Sequence, residues 1–227
     1  MVHSECKDWT VKSNLGRLIV MTDSPHASRK HFTAKGADTR QRIIAAAAGL
    51  INATSVEATS IDDILLESET SKSQFYHYFA DKEALVGEVI GFLTERVIGV
   101  QAPHLEALNS MAAFGRWRKS LVAFCKSTGA RGCPLGSLAY ELSGHSQVSR
   151  IRLEKGFDVW RQAIERGLNA MRVSGELKPG VDPAELSVAV LAALQGGFLL
   201  SRMQGDVKPL DIAFDMALSY LKQHLAD

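Results

Sequence analysis

Apolar residues recur at three- and four-residue spacing along most of the chain, the period of helices that bury one face. Ile43, Ala47, Leu50 and Ile51 predict a first helix over about 39–53. Ile61, Ile64 and Leu65 mark a second, opened by Thr59 or Ser60 as N-cap with Asp62 or Asp63 to complete a capping box. Ser71-Lys72-Ser73-Gln74 repeats the start signal for a short third helix, whose apolar residues are Phe75 and Phe79. A fourth helix begins after Asp81, carries Leu85, Val89, Phe92, Leu93 and Val97, and ends before Pro103. The remainder is helical by period, with breaks at 129–134, Gly144, 174–183 and 205–209. Asp182 before Pro183 pairs an N-cap with proline at the first helical position. The last two helices then fall at about 183–204 and 209–225. The fold class is all-α.

Residues 1–38 lack this period and mix charge with Gly, Ser and Pro, so they are expected to form a mobile tail. Met21 is an alternative start of translation to Met1. Arg29, Lys30 and Lys35 suit an arm that touches phosphate or minor groove, against the plainer reading of a solvated basic segment.

Composition narrows the class only slightly. An apolar share of 46% in 227 residues supports a real core. The net charge of +1 gives no global basic field, although a few cations on one face suffice for phosphate contacts. Cys6, Cys125 and Cys133 cannot all pair and lack metal spacing, so reduced cytosolic thiols are expected and the chain is placed in the cytoplasm. The longest apolar run, 188–200, is broken by Gln195 and falls short of a span of about 20 residues; it reads as a buried helix, with no membrane partner.

Chemistry concentrates on the third helix. With Phe75 and Phe79 turned inward, Lys72, Ser73, Gln74, Tyr76 and His77 stay outside, and such donors and aromatics suit phosphates and base edges in a major groove. The same spacing also describes an ordinary amphipathic hairpin. The stretch 59–85, with Phe75-Tyr76-His77-Tyr78-Phe79 followed by Asp81-Lys82-Glu83-Ala84-Leu85 and preceded by Thr39-Arg40-Gln41-Arg42-Ile43-Ile44, resembles the DNA-binding domain of the TetR/AcrR family of transcriptional regulators.

The resemblance implies an N-terminal three-helix helix-turn-helix domain over 39–86 and a larger helical regulatory and dimerisation domain over 87–227. It further implies a homodimer through the last two helices, a palindromic double-stranded operator, and release by an unidentified small-molecule effector, with no cofactor. Thr59, Ser60 and Ser71 then sit at helix starts facing phosphate, and Lys82 matches the family's phosphate-binding lysine. Tyr76 and His77 match phosphate or sugar contacts, while Lys72, Ser73 and Gln74 face the bases. Gln74 is also placed to close a capping box with Ser71, and both roles stay open. Gly196 and Gly197 fit either close packing within the chain or the dimer contact. The turn between the two reading helices departs from the family pattern: Glu69 and Thr70 stand where glycine and an apolar residue are usual. Either the turn differs or the operator is held less tightly.

For the effector, Phe114, Trp117, Phe124, Tyr140, Phe157, Trp160, Met171 and Phe198 are candidates to line a cavity, against the plainer reading that they are core. Cys133, in Arg131-Gly132-Cys133-Pro134-Leu135-Gly136, resembles a Gly-Cys motif of one family branch, some of whose members respond to oxidants or electrophiles. A helix N-terminus there would lower its thiol pKa, making a redox- or electrophile-switched repressor the alternative mechanism. His26, His31, His77, His104, His145 and His224 are scattered, and no nucleophile elbow, zinc motif or phosphate loop occurs, so an enzyme is not expected.

Overall fold

The computed structural model describes residues 34–144 and 146–226. The expectations for Arg29 and Lys30, and most of the predicted tail, lie outside these residues. Ten helices form among them: α1 (Ala34–Ala53), α2 (Ile61–Ser68), α3 (Lys72–Tyr78), α4 (Lys82–Gly99), α5 (Ala102–Leu105), α6 (Met111–Ser127), α7 (Pro134–Leu142), α8 (Gln147–Val173), α9 (Pro183–Gln204) and α10 (Lys208–Lys222). Among the described residues, pairing of extended chain is confined to one isolated antiparallel bridge, Leu177 to Leu225. Residues 34–38, assigned to the tail by their composition, instead belong to the start of α1.

Local chemistry fixes the helix starts. Ser60 and Ser71 each complete a capping box, with Asp63 and Gln74 as the returning partners. Asp81 Oδ1 accepts the Ala84 N–H at 2.7 Å, and Asp182 caps α9 ahead of Pro183.

Packing builds two regions joined by α4. Ile43, Ala47, Ile51, Ile64, Phe75 and Phe79 are buried among α1, α2 and α3. Leu85, Val86, Val89, Ile90 and Leu93 then carry a buried face along α4. In the larger region α8 packs on α4, α7 and α9, while α10 packs on α9 and α6. Gly156 lets α8 approach α4 closely, since a Cβ there would lie 2.6 Å from Thr94 Oγ1. Helix α9 is long and apolar enough to cross a membrane, but 44% of that stretch is buried against its neighbours. It packs as a core helix with one exposed apolar face.

Candidate nucleic-acid interface

Helix α3 is held from below by Phe75, fully buried, and by Phe79 at its C-cap. Their rings pack 5.5 Å apart. This anchoring leaves Ser71, Lys72, Ser73, Gln74, Tyr76 and His77 exposed on one surface. Tyr76 stands edge-on to Phe75 at 5.2 Å, and His77 edge-on to Tyr78 at 4.8 Å. Lys82 lies half-buried in the first turn of α4.

The capping boxes limit what some of these groups can offer. Gln74 Oε1 accepts the Ser71 N–H at 2.8 Å, and Ser71 Oγ accepts the Gln74 N–H at 3.2 Å. The Gln74 carbonyl oxygen therefore caps α3, and only its amide nitrogen stays outside the capping box. Ser60 Oγ donates to Asp63 Oδ2 at 2.6 Å, and this bond, with the Ser60 backbone N–H, holds the Asp63 carboxyl below its usual range. Thr59 requires a correction. It is buried, and its hydroxyl donates to the Ser55 carbonyl at 2.8 Å within the α1–α2 loop, so it neither caps α2 nor presents that hydroxyl to phosphate.

The turn between α2 and α3 keeps the left-handed geometry despite its sequence. Glu69 adopts φ 52°, ψ 47°, a conformation that costs a non-glycine residue about 1–2 kcal/mol. A polar clasp replaces the usual apolar residue: Ser68 Oγ donates to the Ile64 carbonyl at 2.6 Å and lies 2.7 Å from Thr70 Oγ1. Arg42 Nη1 donates to the Ser68 carbonyl at 3.0 Å, closing the end of α2 from α1. Arg40 stacks 5.6 Å over the Phe79 ring and pairs with Glu88 of α4. Sequence spacing gives no signal for these two arginines, because their partners lie 26 and 48 residues away.

Two helices joined by a tight left-handed turn, the second presenting a polar face above buried phenylalanines, match known proteins. Residues 43–89 fit the description "Bacterial regulatory proteins, tetR family", and 111–217 fit "Tetracyclin repressor-like, C-terminal domain". An uncharacterised HTH-type transcriptional regulator in the lacX 3' region of Lactococcus lactis is 31% identical over 184 residues, covering 79% of this chain and 91% of that protein. The chain belongs to the TetR family. The HTH-type transcriptional repressor DhaR of a Mycobacterium species is 26% identical over 153 residues, covering 67% of this chain and 77% of its own length. The crystal structure of regulatory protein TetR from Rhodobacter sphaeroides superposes with a TM-score of 0.72 at 20% identity, covering 83% of this chain and 99% of that one, and shows the shared fold. This TetR-family chain is therefore an all-α DNA-binding transcriptional regulator with an N-terminal helix-turn-helix and a C-terminal helical domain.

The residues proposed for an effector cavity divide. Phe114, Trp117, Trp160 and Met171 are fully buried and Phe198 nearly so, whereas Phe124 and Phe157 are half-buried. Tyr140 is 93% exposed on the outer face of α7 and lines no interior, which removes it from the set. Trp117 packs edge-on to Phe214 of α10 at 4.9 Å and donates from Nε1 to Gln101 Oε1 at 3.0 Å, a satisfied core position. Phe124 and Trp117 border a cleft with Val100, Gln101, His104, Ser120 and Leu121 that has room for about one water.

Cys133 also departs from expectation. It does precede Pro134 at the start of α7, but it is buried, and burial pushes its thiol pKa up. The Gly136 and Leu135 N–H groups and the Gln195 side chain pull the other way without offsetting that cost. Cys125 shares the environment, and burial first, then the neighbouring Cys133, raises it to about 12.

Proposed function

We propose that this chain is a repressor that binds a palindromic operator as a homodimer, through heads at 39–86, and releases it when a small molecule enters the body at 87–227. The observation that carries this reading is the exposed polar face of α3 above its two buried phenylalanines. Lys72, Ser73 and the Gln74 amide nitrogen would meet base edges, while Ser60, Ser71, Tyr76, His77 and Lys82 would contact the backbone.

A second feature supports the dimer. Val188, Leu199, Leu200 and Met203 of α9 and Ile212, Met216 and Tyr220 of α10 are exposed. Such a surface fits a second copy of the chain. The paired glycines divide between the two roles. A Cβ on Gly197 would lie 2.9 Å from Leu210 Cα, so it serves packing of α9 on α10 within the chain; one on Gly196 would meet nothing and leaves the outer face open to close approach. Cytoplasmic location accompanies the reading, as it does for DNA-binding regulators of this family. Switching through Cys133 oxidation stands second, because a buried thiol with a raised pKa is a poor nucleophile.

Selection of bound duplexes from a random DNA pool tests the proposal. A palindrome whose half-sites are about 34–36 Å apart centre to centre is expected. Recovery of no consensus, or of a single half-site bound by a monomer, would refute it.

A further inference from the structure

Two buried nitrogen donors in the helical body have no oxygen or nitrogen acceptor among the described residues: Trp160 Nε1 on α8 and Gln195 Nε2 on α9. Interiors pair such groups almost without exception, so each unpaired donor calls for an acceptor that the described residues do not supply. The contrast with Trp117, whose indole N–H is bonded to Gln101, shows that this core can satisfy an indole when it has a partner to offer.

The two donors flank the same stretch of α9. The Trp160 ring packs 6.2 Å from that of Phe198, which follows Gln195 by one turn of α9. On its other side Gln195 meets α7: a Cβ on Gly136 would come within 2.8 Å of Gln195 Oε1, and the Gln195 amide lies against the Cys133 thiol, a weak acceptor. Glycine at 136 thus preserves the space that the Gln195 side chain occupies. The surroundings also define the charge of any ligand. No charged side chain is buried among the described residues, so an ion entering here would lose its hydration without a counter-charge.

We propose that Trp160 and Gln195 form the polar end of an effector subsite that takes a small neutral molecule, apolar or aromatic in body, by its carbonyl-type oxygen. The proposal rests on the reading of the body as an effector domain and names the ligand class that domain selects. Two N–H donors against aromatic walls favour an acceptor oxygen and repel an ammonium group, while burial without a counter-charge disfavours a carboxylate. Because both donors are sealed, entry moves α7 relative to α9. Helix α7 also reaches the reading head, where Glu141 Oε1 accepts the Glu57 N–H at 3.1 Å in the loop before α2. Occupancy of the subsite is thereby felt at the start of the helix-turn-helix.

The full-length ¹⁵N-labelled protein, titrated with acetophenone and with ethylbenzene as its match without oxygen, tests this. The Trp160 indole N–H resonance, assigned by its loss in Trp160→Phe, should shift saturably downfield with acetophenone and not with ethylbenzene. Gln195→Met should weaken acetophenone binding about tenfold while leaving the melting temperature of the free protein unchanged or higher, because an unpaired donor is removed. Equal binding of the two probes, or no binding of either, overturns the proposal. So does an indole N–H already at a hydrogen-bonded position in the free protein, which a buried water would produce. Operator binding is scored separately. Acetophenone bound at Trp160 in a chain that ignores palindromic DNA would refute the repressor reading alone, and operator binding without a response at Trp160 would refute the subsite alone.

Discussion

Arg40 on α1 and Glu88 on α4 are joined by a 2.5 Å contact between Nη2 and Oε2, while the other carboxylate oxygen of Glu88 faces Arg152 Nη1 of α8 at 3.7 Å. One carboxylate therefore stands between the reading head and the body. Arg40 also rests on Phe79 at the end of α3, so the pair touches the helix that carries the exposed polar face. A second tie, Ser146 Oγ donating to Glu83 Oε1 at 2.7 Å, links the start of α8 to the first turn of α4.

Substituting Glu88→Gln should leave the melting temperature nearly unchanged, because partly exposed ion pairs contribute about 0–1 kcal/mol. It should nevertheless shift the coupling between effector and operator by about 0.5–2 kcal/mol. Fluorescence anisotropy with and without effector measures this. Unaltered operator affinity in both conditions would remove Glu88 from the coupling.

Glu69→Gly should stabilise the chain by a few tenths to about 1 kcal/mol, the relief of the left-handed strain less the added freedom of glycine in the unfolded state. Glu69→Gln keeps the strain and removes the charge. If the charge weakens phosphate contacts, both variants bind operator more tightly at low salt, but only the glycine variant melts higher. A glycine variant that melts lower would show that the side chain supports the turn.

The capping role of Gln74 calls for a variant that spares it. Gln74→Glu retains a returning oxygen for the Ser71 N–H, since glutamate also closes capping boxes, but removes the amide donor. A changed preference at one base pair in each half-site is expected, at about 1–3 kcal/mol. An unchanged order of preference among operator variants would make Gln74 a cap alone. Lys82→Ala should instead weaken all duplexes alike and flatten the salt dependence.

Met203→Glu with Met216→Glu, on the exposed faces of α9 and α10, should give a folded monomer with normal helical circular dichroism and little operator affinity. Sedimentation at several concentrations decides it. A dimer that persists would place the interface elsewhere. Truncating Trp117 or Trp160 to Ala is a poorer probe of the body, since each is a fully buried ring and its removal should cost about 3–5 kcal/mol.

The buried thiols carry a pH signature. Burial raises the Cys125 pKa from 9.0 to about 12 and moves Cys133 in the same direction. A folded-state pKa above the unfolded value favours the neutral form, so this stability is fully present below pH 9 and is lost as pH rises towards 12. Melting temperature should fall across that window, and less steeply in a Cys125→Ala, Cys133→Ala variant. At pH 8 a thiol reagent should modify these two cysteines only on unfolding. Rapid reaction of Cys133 in the native protein would restore the oxidation switch to first place.

What the sequence determined by itself is what depends on neighbours within a few residues. Ser60 with Asp63, Ser71 with Gln74, Asp81, and Asp182 with Pro183 announce helix starts because a cap and its partner are three or fewer residues apart, and the bounds of α9 were legible to the residue. The inward pair Phe75 and Phe79 follows from helical period in the same way, and with it the outward face that would read DNA. Tertiary structure decided everything that turns on which side of a helix meets another. Thr59 and Ser60 are equivalent caps on paper, but only packing of the α1–α2 loop buries the first and exposes the second. Tyr140 and Trp160 are both aromatic residues on apolar helices, yet one is solvated and the other sealed. Gly196 and Gly197, adjacent in sequence, point to different surfaces because successive residues turn about 100° around a helix. Burial likewise reversed the pKa direction of Cys133, since desolvation depends on every element packed around the sulfur and the helix dipole only on the one that follows it.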